Sequence, residues 1–184
     1  EYPSTVESVI YECIYGRCST NHQARLDAAI ETGNRVHDSH IALGTHFKRK
    51  AAKTQGADVA SQEAAERHMK AALGYDKDSY AALVNLANVE YVRAHQQCRI
   101  RGPGDVPALN LVGERYARAS AVGVLPVESE YNRSVLHKHL GEDSEAAYFR
   151  AQAAALNPEK VKRFIENAPQ TDKQACPVGF NANV

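Results

Sequence analysis

The residues of this chain that could do chemistry are few, and their spacing limits what they could do. Cys13, Cys18 and His22 follow one another at intervals of five and four residues, and zinc accepts all three as ligands. A closed site needs a fourth donor, and His37, His40, His46 or Cys98 would reach it only through folding. The two-residue knuckle of zinc modules is absent, so no metal and no cofactor is expected. The four cysteines, Cys13, Cys18, Cys98 and Cys176, allow three disulfide pairings, and sequence leaves the pairing open. His37 and His40 are three apart and share a helix face. His137 and His139 are two apart and diverge by about 200° on a helix, which separates them as ligands. Asn132-Arg133-Ser134 fits the glycosylation acceptor pattern.

Catalytic patterns are missing from the chain. It contains no Gly-x-Ser-x-Gly elbow and no zinc-protease His-Glu-x-x-His. Gly102-Pro103-Gly104 follows a helical pattern and leads into no Lys-Ser or Lys-Thr, so it is not a phosphate loop. The expectation is a protein that is not an enzyme.

The elements that must carry these residues read as helices. Alanine recurs in pairs, at Ala28-Ala29, Ala51-Ala52, Ala64-Ala65, Ala71-Ala72, Ala81-Ala82 and Ala146-Ala147. It costs no side-chain entropy in a helix and lets neighbours approach closely. No stretch alternates β-branched and polar residues as a strand does. About eight helices are predicted, with a short coda. They cover about Thr5–Tyr15 with Ser4 as cap, Ser19–Thr32, Asp38–Thr54, Asp58–Leu73, Ser79–Gln97, Pro107–Val122, Val127–Leu140 and Asp143–Leu156, and the coda is Glu159–Asn167. Arg101-Gly102-Pro103-Gly104-Asp105 is a break, because two glycines and a proline end a helix.

The helices carry a repeated signal. Ala65 and Ala72 are seven apart, with Lys77 five further on; Ala146 and Ala153 are seven apart, with Pro158 five further on; Ala121 lies five before Pro126. Upstream stand Leu43-Gly44 and Leu86-Ala87, with Phe47 and Tyr91 a turn later. At these residues the chain resembles the tetratricopeptide (TPR) family. Tyr80–Tyr91 looks like the first helix of such a repeat, and Ala146–Pro158 like a second helix with its closing Asn-Pro. The likeness covers His37–Pro158 well and Thr5–Val36 weakly. Two intervals depart from it. Lys77 to Pro126 is 49 residues against about 34 in the family, and Leu43 to Ala65 is 22 against about thirteen. Longer helices or inserted loops must absorb the excess.

The resemblance implies an all-α fold, a right-handed superhelical array of antiparallel helix hairpins. Its units would span about 4–36, 37–77, 78–126 and 127–158, with a capping helix at 159–168 and a flexible tail at 169–184. It also implies a protein-interaction scaffold or adaptor, a subunit of a larger assembly, holding a partner's peptide or helix in a concave groove. On that register Asn85, Asn88, Asn132 and Arg133 are groove candidates, since an amide side chain pairs with an extended backbone. Ile41 and Val84 stand where the family's chaperone-tail clamps need lysines, which sets that subtype aside. Arg93, Arg99 and Arg101, and Lys48, Arg49, Lys50 and Lys53, form two basic segments that suit an acidic partner.

Composition bounds the partner further. The 184 residues carry 22 Lys plus Arg against 22 Asp plus Glu, a formal charge of zero. That balance argues against a non-specific nucleic-acid binder, which needs surplus positive charge. No apolar run nears the ~20 residues that span a bilayer, so no membrane insertion is expected. Partners are other proteins or a second copy. Glu1 follows neither an initiator Met nor a leader, which reads as a fragment or a processed form. Because helical arrays seldom need disulfides, an intracellular setting is favoured over a secreted or lumenal one. The alternatives are an extracellular or lumenal, disulfide-containing and glycosylated structural protein, and a metal-binding helical protein using Cys13, Cys18 and His22.

Overall fold

The computed structural model describes residues 5–54, 57–101 and 106–167, with side chains left undescribed from 96 to 101. Among the described residues the secondary structure is all helix. The elements are α1 (Val6–Ile14), α2 (Thr20–Glu31), α3 (Val36–Lys53), α4 (Val59–Tyr75), α5 (Tyr80–Arg101), α6 (Val106–Val122), α7 (Val127–His139), α8 (Asp143–Leu156) and α9 (Pro158–Glu166). No described helix is long and apolar enough to cross a membrane.

Local chemistry sets the boundaries. Thr5, rather than the expected Ser4, caps α1 by accepting from the Ser8 amide. Ser19 accepts from the His22 amide while the His22 ring accepts from the Ser19 amide, a reciprocal cap that opens α2. Asp58 accepts from both the amide and the hydroxyl of Ser61 at the head of α4. Asn157 accepts from the Lys160 amide, and Pro158 fills the first position of α9, where its missing N–H costs nothing. The chain leaves α1 through Gly16 at φ +90°, a conformation without steric penalty only for glycine. Arg35 takes the same left-handed region at φ +48° ahead of α3. That helix starts at Val36, two residues before the expected Asp38. Its start is held by Arg35 itself, which pairs with Glu7 at 2.5 Å and Asp38 at 3.0 Å.

Of the two long intervals, residues 55–56 and 102–105 lie outside the described residues. α3 runs to Lys53, and α5 continues past the expected stop at Gln97 to Arg101.

The chain divides into two compact units, 1–89 and 90–184, with the division inside α5. In the N-terminal unit α3 packs against α1, α2 and α4. Val9, Ile10 and Cys13 of α1 meet Leu26 of α2 and Ala42 and Leu43 of α3 in one buried cluster. A second cluster joins Ile41, Met69, Ala72, Ala82 and Leu86, which brings the start of α5 onto the α3–α4 hairpin. In the C-terminal unit α7 packs against α6, α8 and α9. Val127, Tyr131, Ala153 and Val161 make its buried cluster, flanked by Val135 and Phe164. Gly113 lets α6 close on Leu136 of α7, where a Cβ would lie 3.2 Å from the Leu136 methyl.

Candidate functional site

Three polar links join α1, α3 and α5, the first helices of successive hairpins in the N-terminal unit. Lys48 Nζ of α3 donates to Asn85 Oδ1 of α5. Arg49 of α3 donates to the Cys13 carbonyl of α1 at 3.3 Å. His37 Nε2 and Ser79 Oγ lie 3.1 Å apart, and Ser79 in turn accepts from the Ala82 amide in the first turn of α5. Glu7, Arg35 and Asp38 extend this seam toward the start of α1. Burial works against ionisation of Asp38, but its bonds to His37 and Arg35 outweigh that and hold the carboxyl below its ordinary range. The seam therefore carries fixed charges on a helical framework, with Asn85 and Asn88 half-buried along it.

The sequence candidates separate on this geometry. Asn85 faces α3, where its oxygen is occupied by Lys48. Arg133 lies over the Phe149 ring of α8 at 3.7 Å and bonds Glu130 at 3.4 Å, so it is packed across its own hairpin. Asn132 is half-buried in mid-α7, and the Ser134 of its acceptor triplet is buried and donates to the Tyr131 carbonyl. An acceptor triplet works from an accessible loop, and this one is helical. Arg93 is half-buried on α5. The side chains of Cys98, Arg99 and Arg101, and all of Cys176 and the tail from 169, lie outside the described residues.

Cys13 and Cys18 are joined in a disulfide that clamps the α1–α2 turn. Both sulfurs are thereby removed as metal ligands, and His22 Nδ1 is engaged in the helix cap. The metal reading of these three residues finds no geometry to support it. Among the described residues no group of three or more His, Cys, Asp or Glu is placed to hold an ion.

Two clusters were not legible as such in the sequence. Tyr91, His95 and His139 stack in the C-terminal unit, with the two imidazoles 4.5 Å apart and buried. The Tyr91 hydroxyl bonds His139 Nδ1. Beside them Glu90 of α5 pairs with Arg115 of α6. In the N-terminal unit, His40 meets His68 across the α3–α4 hairpin, with Nδ1 atoms 3.0 Å apart. Burial, then the neighbouring His40, pushes His68 down to about 4. His46, further along α3, is also lowered, first by burial and then by Lys50, Lys53 and Arg49. Only antiparallel pairing of α3 with α4 marks the His40–His68 contact, since the two residues are 28 apart in the chain.

No protein-family model matches the chain, and no curated protein or solved structure matches it either.

Proposed function

We propose that the chain is a non-enzymatic scaffold of TPR-like helix hairpins that binds another protein along its first helices. The observation that carries this reading is the packing order in the N-terminal unit. α3 rests on both helices of the preceding hairpin, α1 and α2, as well as on its own partner α4. A hairpin buries one face by itself, so neighbours must stack, and stacking sets the first helices side by side. The C-terminal unit repeats the pattern, with α7 resting on α6 and α8, and α9 resting on α8 and α7. A right-handed superhelical course is the finer form of this proposal. The polar seam over α1, α3 and α5 ties these helices to one another and so gives an extended peptide or a partner helix a rigid base to lie on.

A photo-crosslinking residue at Asn88, on the seam, tests this against one at Ala24, exposed on α2. Repeated capture of one protein from Asn88 and none from Ala24 supports a partner face. Equal capture from both positions, or none from either, removes the proposal.

The Cys13–Cys18 bond favours a second reading of where the protein works. Disulfides persist in oxidising compartments, which suits an extracellular or lumenal structural protein. Intact mass after thiol alkylation without reductant decides this: protein from its native source with Cys13 and Cys18 unmodified is disulfide-bonded, and alkylation at both returns the protein to an intracellular setting.

A further inference from the structure

The His40–His68 pair has a stoichiometric limit built into it. Its two Nδ1 atoms stand 3.0 Å apart. The Phe47 ring lies nearly parallel to His68 at 5.8 Å, and the exposed Tyr75 ring covers His40 at 6.1 Å. One hydrogen sits between the two nitrogens, so one ring donates and the other accepts through a bare Nδ1. Two neutral rings of opposite tautomer satisfy this. A first added proton goes to Nε2 of the donor ring, which keeps its Nδ1–H and donates more strongly as a cation. A second proton has only the acceptor's Nδ1 left. There it meets the donor's hydrogen head-on, the bond is lost, and two cationic rings face each other with centres 5.3 Å apart.

We propose that this pair is an acid-operated latch on the α3–α4 hairpin, closed with no proton or one added proton and released by the second. Its position gives the release consequence. His68 precedes Met69, whose fully buried side chain covers Gly44 and packs with Ile41, Ala72, Ala82 and Leu86. Displacing His68 therefore strains the contact that holds α4 and the start of α5 on α3. The charged groups acting on the pair divide. Asp27 on α2 favours the protonated form of both rings, His37 on α3 opposes it at His40, and Arg67 on α4 opposes it at His68. Asp27 thus offers a single counter-charge, enough for the first proton and not for the second. Burial exceeds these influences and depresses both imidazoles. The latch operates whether or not the seam over α1, α3 and α5 binds a partner.

Side-chain 1H–15N spectra of the histidines, recorded with backbone amide spectra from pH 7.5 to 3.5, test the proposal. The expected result is a coupled titration of His40 and His68 in two steps separated by more than about one pH unit. The amides of Ile41, Gly44, Met69 and Ala72 shift sharply only with the second step. In His40→Phe, which keeps a stacked ring but no ring nitrogen, His68 titrates in one step at higher pH than the wild-type second step, and the sharp amide change of the wild-type second step is lost. His68→Phe gives the reciprocal test through His40 if the first variant does not fold. Independent single-step titrations near pH 6.5, or hairpin amides that change at the same pH in wild type and variant, would overturn the latch.

Discussion

Gly44 on α3 lies directly beneath Met69 of α4, so close that a Cβ there would stand 2.6 Å from the Met69 Cε. Met69 is fully buried and has no solvent to retreat into. Gly44→Ala gains helix propensity of about 0.5–1 kcal/mol but overpacks a closed contact, which costs about 1–3 kcal/mol. The expected net result is a loss of about 1–2 kcal/mol, measured from urea midpoints. In a Met69→Ala background the same substitution should be neutral or stabilising. A loss of equal size in both backgrounds would show that Met69 is not the obstacle.

Acid should weaken the N-terminal unit before its carboxylates titrate. Unfolded His68 has the ordinary value near 6.5, whereas the folded ring is held to about 4 by burial and by His40. Between these values the unfolded chain binds more protons, so stability falls as pH drops from about 6.5 to about 4. Asp38 and Asp58 are held below their ordinary range and contribute their losses lower still. Denaturant midpoints measured every half pH unit should show this slope, and His68→Phe should flatten it between pH 6 and 4.5. An unchanged slope in the variant would assign it to other groups.

How much of this was legible in the chain follows from the range of each interaction. Helix ends depend on neighbours three or four residues away, so Asn157-Pro158 announced the end of α8 and Gly16 announced the end of α1. Arg35 misled the start of α3, because its left-handed turn is secured by Glu7, 28 residues upstream. Gly44 was readable as a small residue that lets helices approach closely, but that Met69 covers it was not, since the two lie on different helices. For the groove candidates, the direction each side chain takes was not legible. Asn85 sits beside the chain's own Lys48, and Arg133 turned onto Phe149 of the adjacent helix. A repeat register places a residue along its helix, but local competition among charges, rings and amides decides which way its side chain goes. His68 and Arg115 carried no local signal, since their partners are brought near only when helices pack.

The Cys13–Cys18 bridge closes a very short loop. In the chain-entropy picture such a loop is worth about 2 kcal/mol. Cys13→Ala/Cys18→Ala should therefore lose about that amount, together with a small packing loss at fully buried Cys13. Adding reductant to the wild type should reproduce most of the effect and leave the double variant untouched. A variant that responds to reductant as the wild type does would point to another bridge.

Glu90 and Arg115 pair between α5 and α6, with side chains 13% and 30% exposed. Removing one partner of a largely buried pair strands the other charge. Glu90→Ala alone and Arg115→Ala alone should each cost about 2–3 kcal/mol, and the double variant less than the sum of the two. A double-mutant cycle in urea measures the coupling. Strict additivity would mean that solvent already screens the pair.

Arg35 combines an unfavourable backbone with a favourable side chain, and substitution can separate the two. Its φ of +48° is costly for any residue with a Cβ, by about 1 kcal/mol. Its guanidinium meanwhile bridges Glu7 of α1 and Asp38 of α3, and the seam between those helices runs on from there. Arg35→Ala keeps the backbone cost and loses both ion pairs, so it should destabilise by about 0.5–1 kcal/mol. Arg35→Gly loses the same pairs but relieves the backbone, so it should lie within about 0.5 kcal/mol of the wild type. Glycine above alanine in denaturant midpoint is the expected order, and the gap between them should persist in high salt because it comes from φ and not from charge. A gap that vanishes with salt would mean that the ion pairs, and not the turn, set the start of α3.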